Sequence, residues 1–329
     1  MMAPHPMIAL WRNDLLESLH TGHAVICDEK GDIVQAWGDP DAVIFPRSSC
    51  KMIQALPLLE SGSADHLTTE QRALLCASHN GAAIHVERVQ AWLSEMDLGD
   101  DDLRCGQQHP ADKPEAARLI KTDASPCQVH NNCSGKHAGF LLLNKHLRGD
   151  ADYELLDHPV QQACKGAFEE VTEVASPTFG IDGCSAPNFA TTMHGLARGM
   201  ATFASATEGN SRGRAMVSLR EAMALHPELV AGEGRACTEL MRAMGGKVMI
   251  KTGAEGVFIA IIPEAKMGIA VKATCGTTRA AEAMIATVLI HLGHLDPAHP
   301  AALRRIGGDI TNWRGTKTGE LRTVEGFPI

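Results

Sequence analysis

The sequence predicts an α+β protein: one five-stranded antiparallel sheet flanked by helices, with a mainly helical region inserted between its halves. Three observations predict it. Short apolar runs joined by turn-length connections stand towards both ends of the chain, and a block of helical patterns fills the middle. There is no strand–helix–strand alternation and no Gly-x-Gly-x-x-Gly opening a helix, which disfavours a dinucleotide fold. The 329 residues read as a single catalytic unit, residues 1–329, with sheet region 20–62 and 245–329 and inserted helical region 63–244.

His23 to Cys27 and Ile33 to Trp37 are apolar runs around Asp28-Glu29-Lys30-Gly31-Asp32, which is turn chemistry, so they form a hairpin. A loop with Asp39-Pro40 and Pro46 delivers Arg47-Ser48-Ser49-Cys50-Lys51 to the start of a helix ending near Gly62. Pro57 inside that helix should kink or shorten it. Thr68-Thr69-Glu70 caps a helix through Leu75. The polar loop Cys76 to Gly81 follows, then an amphipathic helix from Ala83 to Met96. Residues 97–131 carry Gly106, Pro110, Pro114 and Pro126 and read as a long covering loop.

Asn131 to His137 lead into the helical run Ala138 to Leu143, and Asp157-His158-Pro159 starts a helix reaching Val174. Thr178 to Ser185 is a glycine-rich loop. Helices follow over roughly 188–205, 210–225 and 235–244. Val248 to Lys251, Val257 to Ile262 and Gly268 to Lys272 are strands. The turns between them, Ala254-Glu255-Gly256 and Pro263 to Lys266, are short enough to make antiparallel neighbours. A last helix, Thr278 to Leu292, precedes a polar tail.

Composition narrows the function. Hydrophobic residues make 44% and charged residues 21%, the range of an ordinary globular protein. Aromatics are only 4%, with one tyrosine, and the formal net charge is -9, which argue against a nucleic-acid surface. No apolar run reaches the ~20 residues that span a bilayer, and the first residues lack the pattern of a secretory signal. The ten cysteines are therefore expected as reduced thiols in the cytoplasm, most of them core residues.

Ser48 and Lys51 are three apart, which on a helix places them on one face. A partly desolvated lysine can act as the base that activates a serine. Alone, such a short pattern recurs by chance, and the pair reads first as a helix cap, Ser48, and a solvated first-turn residue, Lys51. Two later stretches change that reading: Ser78-His79-Asn80 and, on a strand, Lys251-Thr252-Gly253. Ser-x-x-Lys, Ser-x-Asn and Lys-Thr-Gly, in this order, are the signatures of serine β-lactamases and penicillin-binding proteins. The middle one departs, with His79 in place of the usual aspartate and a position close behind Ser48. The set suits acyl transfer: Ser48 with Lys51 supplies the nucleophile, and Ser78 with Lys251 a proton relay to the leaving amine. Backbone N–H groups at the start of the Ser48 helix supply the oxyanion donors. A second cluster is Cys133-Ser134-Gly135-Lys136 with Asp182-Gly183-Cys184. From the residues alone, its thiols read either as zinc ligands or as independent core cysteines.

Arg47 to Lys51, Cys76 to His79, Asn132-Cys133-Ser134-Gly135-Lys136-His137, Thr178 to Cys184 and His226 to Arg235 together resemble the rhizobial-type L-asparaginases, the thermolabile asparaginase II group of Rhizobium etli. Of that pair, the chain resembles the constitutive, thermostable member more than the inducible one. The resemblance implies a serine-β-lactamase-like fold, a homodimer, and hydrolysis of L-asparagine to aspartate and ammonia. It implies two Ser–Lys tandems, Ser48–Lys51 and Ser78–Lys251, and one zinc per subunit on Cys133, Lys136 and Cys184. Substrate binding falls on Arg47, Asn132, Asp182 and His79, with Asp182 facing the α-amino group and Arg47 supporting the Ser48 loop. The rivals are a glutaminase or β-lactam amidohydrolase on the same fold, and a non-catalytic zinc- or amide-binding protein.

Overall fold

A computed structural model describes residues 2–328. The strands are β1 (His5–Arg12), β2 (Leu15–Cys27), β3 (Ile33–Trp37), β4 (Val43–Ile44), β5 (Phe179–Ile181) and β6 (Pro187–Phe189). They continue as β7 (Thr191–Thr192), β8 (Met249–Gly253), β9 (Val257–Ile262), β10 (Met267–Ala273), β11 (Asp309–Thr311) and β12 (Lys317–Thr323). The helices are α1 (Lys51–Gln54), α2 (Leu56–Glu60), α3 (Thr69–Leu75), α4 (Ala83–Glu95), α5 (Lys113–Lys121), α6 (Ser134–Leu147) and α7 (Pro159–Thr172). They continue as α8 (Met193–Ser205), α9 (Ser211–Leu225), α10 (Pro227–Val230), α11 (Ala236–Ala243), α12 (Thr278–His291) and α13 (Pro300–Leu303). The chain divides into two compact units: Met1–Ser49 with Thr191–Ser205 and Glu239–Ile329, and Cys50–Ala190 with Ala206–Thr238. The fold class is the α+β architecture the sequence predicts.

The first unit is built on an antiparallel sheet of order β11-β12-β1-β2-β10-β9-β8, with β3 also pairing to β2. All five predicted strands are present, in the predicted hairpins. The Asp28 carboxylate accepts the N–H groups of Lys30 (2.9 Å) and Asp32 (3.0 Å) and so closes the β2–β3 turn. Between β8 and β9, Glu255 and Gly256 both have positive φ, as a tight hairpin turn requires. The sheet is wider than predicted by β1, β11 and β12. Strand β9, Val-Phe-Ile-Ala-Ile-Ile, is buried at every residue. That needs cover on both faces, and helices α8 and α12 both pack on it.

The second unit is helical. Helix α6 is its centre, packing on α2, α3, α4 and α7. Thr68 caps α3 in a reciprocal box with Gln71, as the sequence predicts. Pro57 splits the predicted first helix into α1 and α2, standing in the first turn of α2, where its missing N–H costs nothing. Two predicted loops hold structure. Within 97–131 lies α5, capped by Asp112 with Pro114 in its first turn and held by Glu115–Arg118. Here proline marks a helix start rather than a loop. In the glycine-rich stretch, β5 pairs with β6. Among the described residues no helix is long and apolar enough to cross a membrane.

Candidate active site

In the helical unit the site is organised by Lys51, which the first turn of α1 places in the interior at 1% exposure. Its ammonium has three donors, and three oxygens meet them. Nζ donates to Ala77 O, to Ser78 Oγ at 3.0 Å and to Asn132 O at 3.5 Å. The structure thus joins Lys51 to Ser78 directly. Ser78 follows the end of α3, and its N–H donates to Val230 O at 2.8 Å. The His79 N–H donates to Asn132 O at 3.3 Å. His79 itself is buried, with Nε2 2.9 Å from Ser134 Oγ, and its Nδ1 accepts from Gly81 N–H at 3.2 Å.

The loop before α6 supplies the other wall. Asn132 accepts at Oδ1 from Cys133 Sγ (2.9 Å), and its own N–H donates to Gln108 Oε1 (3.0 Å). The helix can start here because position 135 is glycine. A Cβ there would lie 2.5 Å from Leu74 O, so only glycine lets the last turn of α3 lie against the Cys133–Lys136 turn. Sequence reasoning used Asn131 only as a helix start, yet its buried amide bonds Cys105 O (2.8 Å), Gly106 O (3.0 Å) and Cys133 N–H (2.9 Å). It ties the covering segment to the cysteine turn. Its one sequence signal is that it stands beside Asn132 in the motif.

Cys133, Lys136 and Cys184 converge, all buried. Lys136 Nζ donates to Cys184 Sγ at 3.2 Å and stands 4.8 Å over the Phe140 ring. The single Cys133 proton faces two acceptors, the Cys184 sulfur and Asn132 Oδ1. The hydrogen bond from Cys133 holds the Cys184 thiol well below its ordinary range; burial opposes this, and the Lys136 cation reinforces it. Cys133 is pushed up by the same hydrogen bond and by burial. Burial alone would lower Lys136, but the Cys184, Cys133 and Asp182 charges outweigh it and hold the ammonium above its usual value. The cluster thus sets a thiol that gives up its proton readily beside an ammonium that holds its own, with a second thiol next to them. Two cysteine sulfurs are zinc donors, and the Lys136 amine can join them only by giving up the proton that the sulfurs favour. Among the described residues, no three His, Cys, Asp or Glu side chains gather into a metal cluster. Asp182 is half-buried, with its carboxylate on Gly183 N–H at 2.7 Å.

The sheet unit carries Ser48, Arg47 and Lys251. Ser48 sits half-buried in a 3₁₀ turn, Arg47–Cys50, that runs into α1. Arg47, just before it, has φ +53°, a left-handed conformation rare for a branched, bulky or long side chain and common at strained functional turns. The neighbouring Ser49 hydroxyl is committed to Pro46 O at 2.7 Å. Lys251 is fully buried on β8 and donates to Thr252 O at 2.9 Å. Two residues on, a Cβ at Gly253 would stand 2.4 Å from Pro46 O and 3.3 Å from Ser49 Cβ. The Lys-Thr-Gly strand therefore lies directly against the serine turn, and its glycine is what permits the approach.

A buried Ser–Lys pair in one unit, and in the other a Lys-Thr-Gly strand against a serine turn, are groups of the kind that amide-cleaving hydrolases use. The L-asparaginase II family matches residues 8–323, and the chain belongs to that family. It is an asparaginase, an amidohydrolase acting on L-asparagine. No curated protein matches the chain. Among solved structures it is similar to a β-lactamase from Mycobacterium bovis, at 13% identity and TM-score 0.44, over 83% of this chain and 95% of that one. It is also similar to a D-alanine carboxypeptidase from Burkholderia cenocepacia, at 12% identity and TM-score 0.43, over 83% and 93%.

Two expectations follow. Gly253→Ala displaces the Pro46–Ser49 turn, so asparaginase turnover should drop at least ~10-fold, with about 1–3 kcal/mol lost in denaturant unfolding. His79 and His85 stack at 4.7 Å, and burial, the first cause for both, lowers each below the ordinary 6.5. Each takes up a proton less readily folded than unfolded, so the unfolded state binds more protons below that value. Stability is full above pH 6.5 and falls as pH drops, by at most about 1.4 kcal/mol per pH unit for each group. Unfolding midpoints between about pH 7 and 5 should show this slope, and it should be shallower in His85→Gln.

Proposed function

We propose that the protein hydrolyses L-asparagine to L-aspartate and ammonia through an acyl-enzyme on Ser48. The observation that carries the mechanism is the buried Lys51 Nζ–Ser78 Oγ hydrogen bond, 3.0 Å, in a chain of the L-asparaginase II family. Lys51, when neutral, takes the Ser48 proton as Oγ attacks the side-chain amide carbon. The Ser78 hydroxyl, on the same amine, passes a proton to the leaving nitrogen as the C–N bond breaks. Lys251 serves as the second lysine of this relay. N–H groups of the Ser48 turn stabilise the oxyanion. Water then cleaves the ester, returning the proton to Ser48. Asp182, Asn132 and Arg47 are assigned to holding the substrate and its loop.

Zinc on Cys133, Lys136 and Cys184 belongs to the same reading. The convergence of two sulfurs and an amine supports it. When bound, zinc supplies a fixed positive charge at the start of α6 in place of the lysine ammonium. The reading extends to the rhizobial type, to which the Asn132 to His137 block is similar, and with it to a homodimer and to the constitutive thermostable branch. It places the protein in the cytoplasm, since a site built on free thiols suits a reducing compartment.

Ser48→Ala should lose more than ~10³-fold in kcat on L-asparagine while staying folded. A variant that still releases ammonia at the wild-type rate removes Ser48 as nucleophile. L-Glutamine and a chromogenic β-lactam, assayed beside asparagine, separate the rival substrates. Zinc content should be near one per subunit in the wild type and fall sharply in Cys133→Ala and Cys184→Ala; equal content in all three refutes the site.

A further inference from the structure

His79, between the two polar members of the Ser78-His79-Asn80 loop, is held at both ring nitrogens by the protein's own framework. Gly81 N–H donates to His79 Nδ1 at 3.2 Å. That nitrogen must therefore present a lone pair, and the ring proton sits on Nε2. Nε2–H donates to Ser134 Oγ at 2.9 Å, and the Ser134 hydroxyl donates onward to Val129 O at 2.9 Å. The result is a one-way chain of donors, with a backbone N–H at one end and a backbone carbonyl at the other. A second ring proton would set two donors against each other at Nδ1. The His85 ring lies parallel to it, 9° between planes, and is fixed by its own Nε2–H on Glu228 O at 2.9 Å. The charged and titratable groups facing His79 are His85, Lys51, His130 and Arg235.

This chain sits one residue from Ser78. It clamps the loop to the first residue of α6, while the His79 N–H and the Lys51 ammonium share one acceptor, Asn132 O. We propose that His79 is a positioning residue of the hydrolysis: through its fixed Nε2–H tautomer it pins the Ser78 hydroxyl on Lys51. The inference rests on reading Ser78 and Lys51 as part of the catalytic set. It gives a physical account of histidine at a place where an aspartate would leave the chain without a donor for Ser134. A displaced hydroxyl of ~1 Å is enough to cost on the order of 10²-fold in rate.

The test measures kcat and KM for L-asparagine in His79→Leu, His79→Gln, Ser134→Ala and Ser78→Ala, with unfolding midpoints for each. His79→Leu should lose ~10–100-fold in kcat with KM within about 3-fold. His79→Gln, which keeps a donor towards Ser134, should recover much of the loss. Ser134→Ala should match His79→Leu, and the double variant should be no worse than either, because both break one link. Should His79→Leu not fold, Ser134→Ala carries the same prediction. In the wild type, imidazole ¹⁵N spectra should show a neutral Nε2–H ring that does not titrate between about pH 5 and 8. Wild-type kcat in His79→Leu with an inactive Ser78→Ala overturns this inference alone. Wild-type kcat in Ser78→Ala overturns the catalytic reading and the inference with it. A loss confined to KM makes His79 a substrate contact, and a ring titrating in that range removes the fixed tautomer; both overturn it.

Discussion

A lysine ammonium in a protein interior has to be met by oxygens or it destabilises the fold, and Lys51 sets that demand on the helical unit. Its three acceptors come from two places: Ala77 and Ser78, after the end of α3, and Asn132, before the start of α6. Meeting them brings a helix end and a helix start to one point. That in turn requires the small residue at Gly135 and the amide of Asn131, which ties the covering segment to the same turn. The Ser78 hydroxyl is therefore placed by a structural necessity. A site whose geometry follows from satisfying a buried charge is rigid before any substrate arrives, which is what preorganised catalysis needs.

The second buried lysine of this unit solves the same problem differently. Lys136 has the Cys184 sulfur as its direct partner, and Cys184, Cys133 and Asp182 all favour its charged form. Its charge is locked in place by theirs. The direct partners of Lys51 are neutral oxygens. The two lysines, both in the helical unit, are thus held by different kinds of partner.

Much of this was legible in the sequence, because it was written in local patterns. The hairpins β2–β3 and β8–β9–β10 follow from apolar runs and turn residues, and α3 from its capping box. What escaped depends on distant partners. Strand β12, Lys-Thr-Gly-Glu-Leu-Arg-Thr, is mostly polar, and only pairing with β1 makes it a strand. Helix α5 hid behind prolines that mark helix starts as readily as loops. At the site, spacing named Ser48, Lys51, Ser78 and Lys251, but a three-residue offset suggested only the Ser48–Lys51 pairing. The Lys51–Ser78 bond joins residues far apart in sequence and so carries no local signature.

The glycines of the motifs show why such patterns recognise a site at all. In Lys251-Thr252-Gly253, Gly253 is the residue that the serine turn cannot do without, since any Cβ meets Pro46 O. In Cys133-Ser134-Gly135-Lys136, Gly135 plays the same part against Leu74 O. A reactive side chain can be supplied from many positions, whereas two backbones can touch only where one of them lacks a side chain. Arg47, held at φ +53° at the edge of the serine turn, is the strained counterpart of that contact. The strain persists because Ser49, bonded twice to Pro46 O, and the β8 strand beside it over-determine the turn. The conformation of the Ser48 turn is thus fixed by backbone contacts on either side of the serine, and no part of that hold falls on the Ser48 side chain.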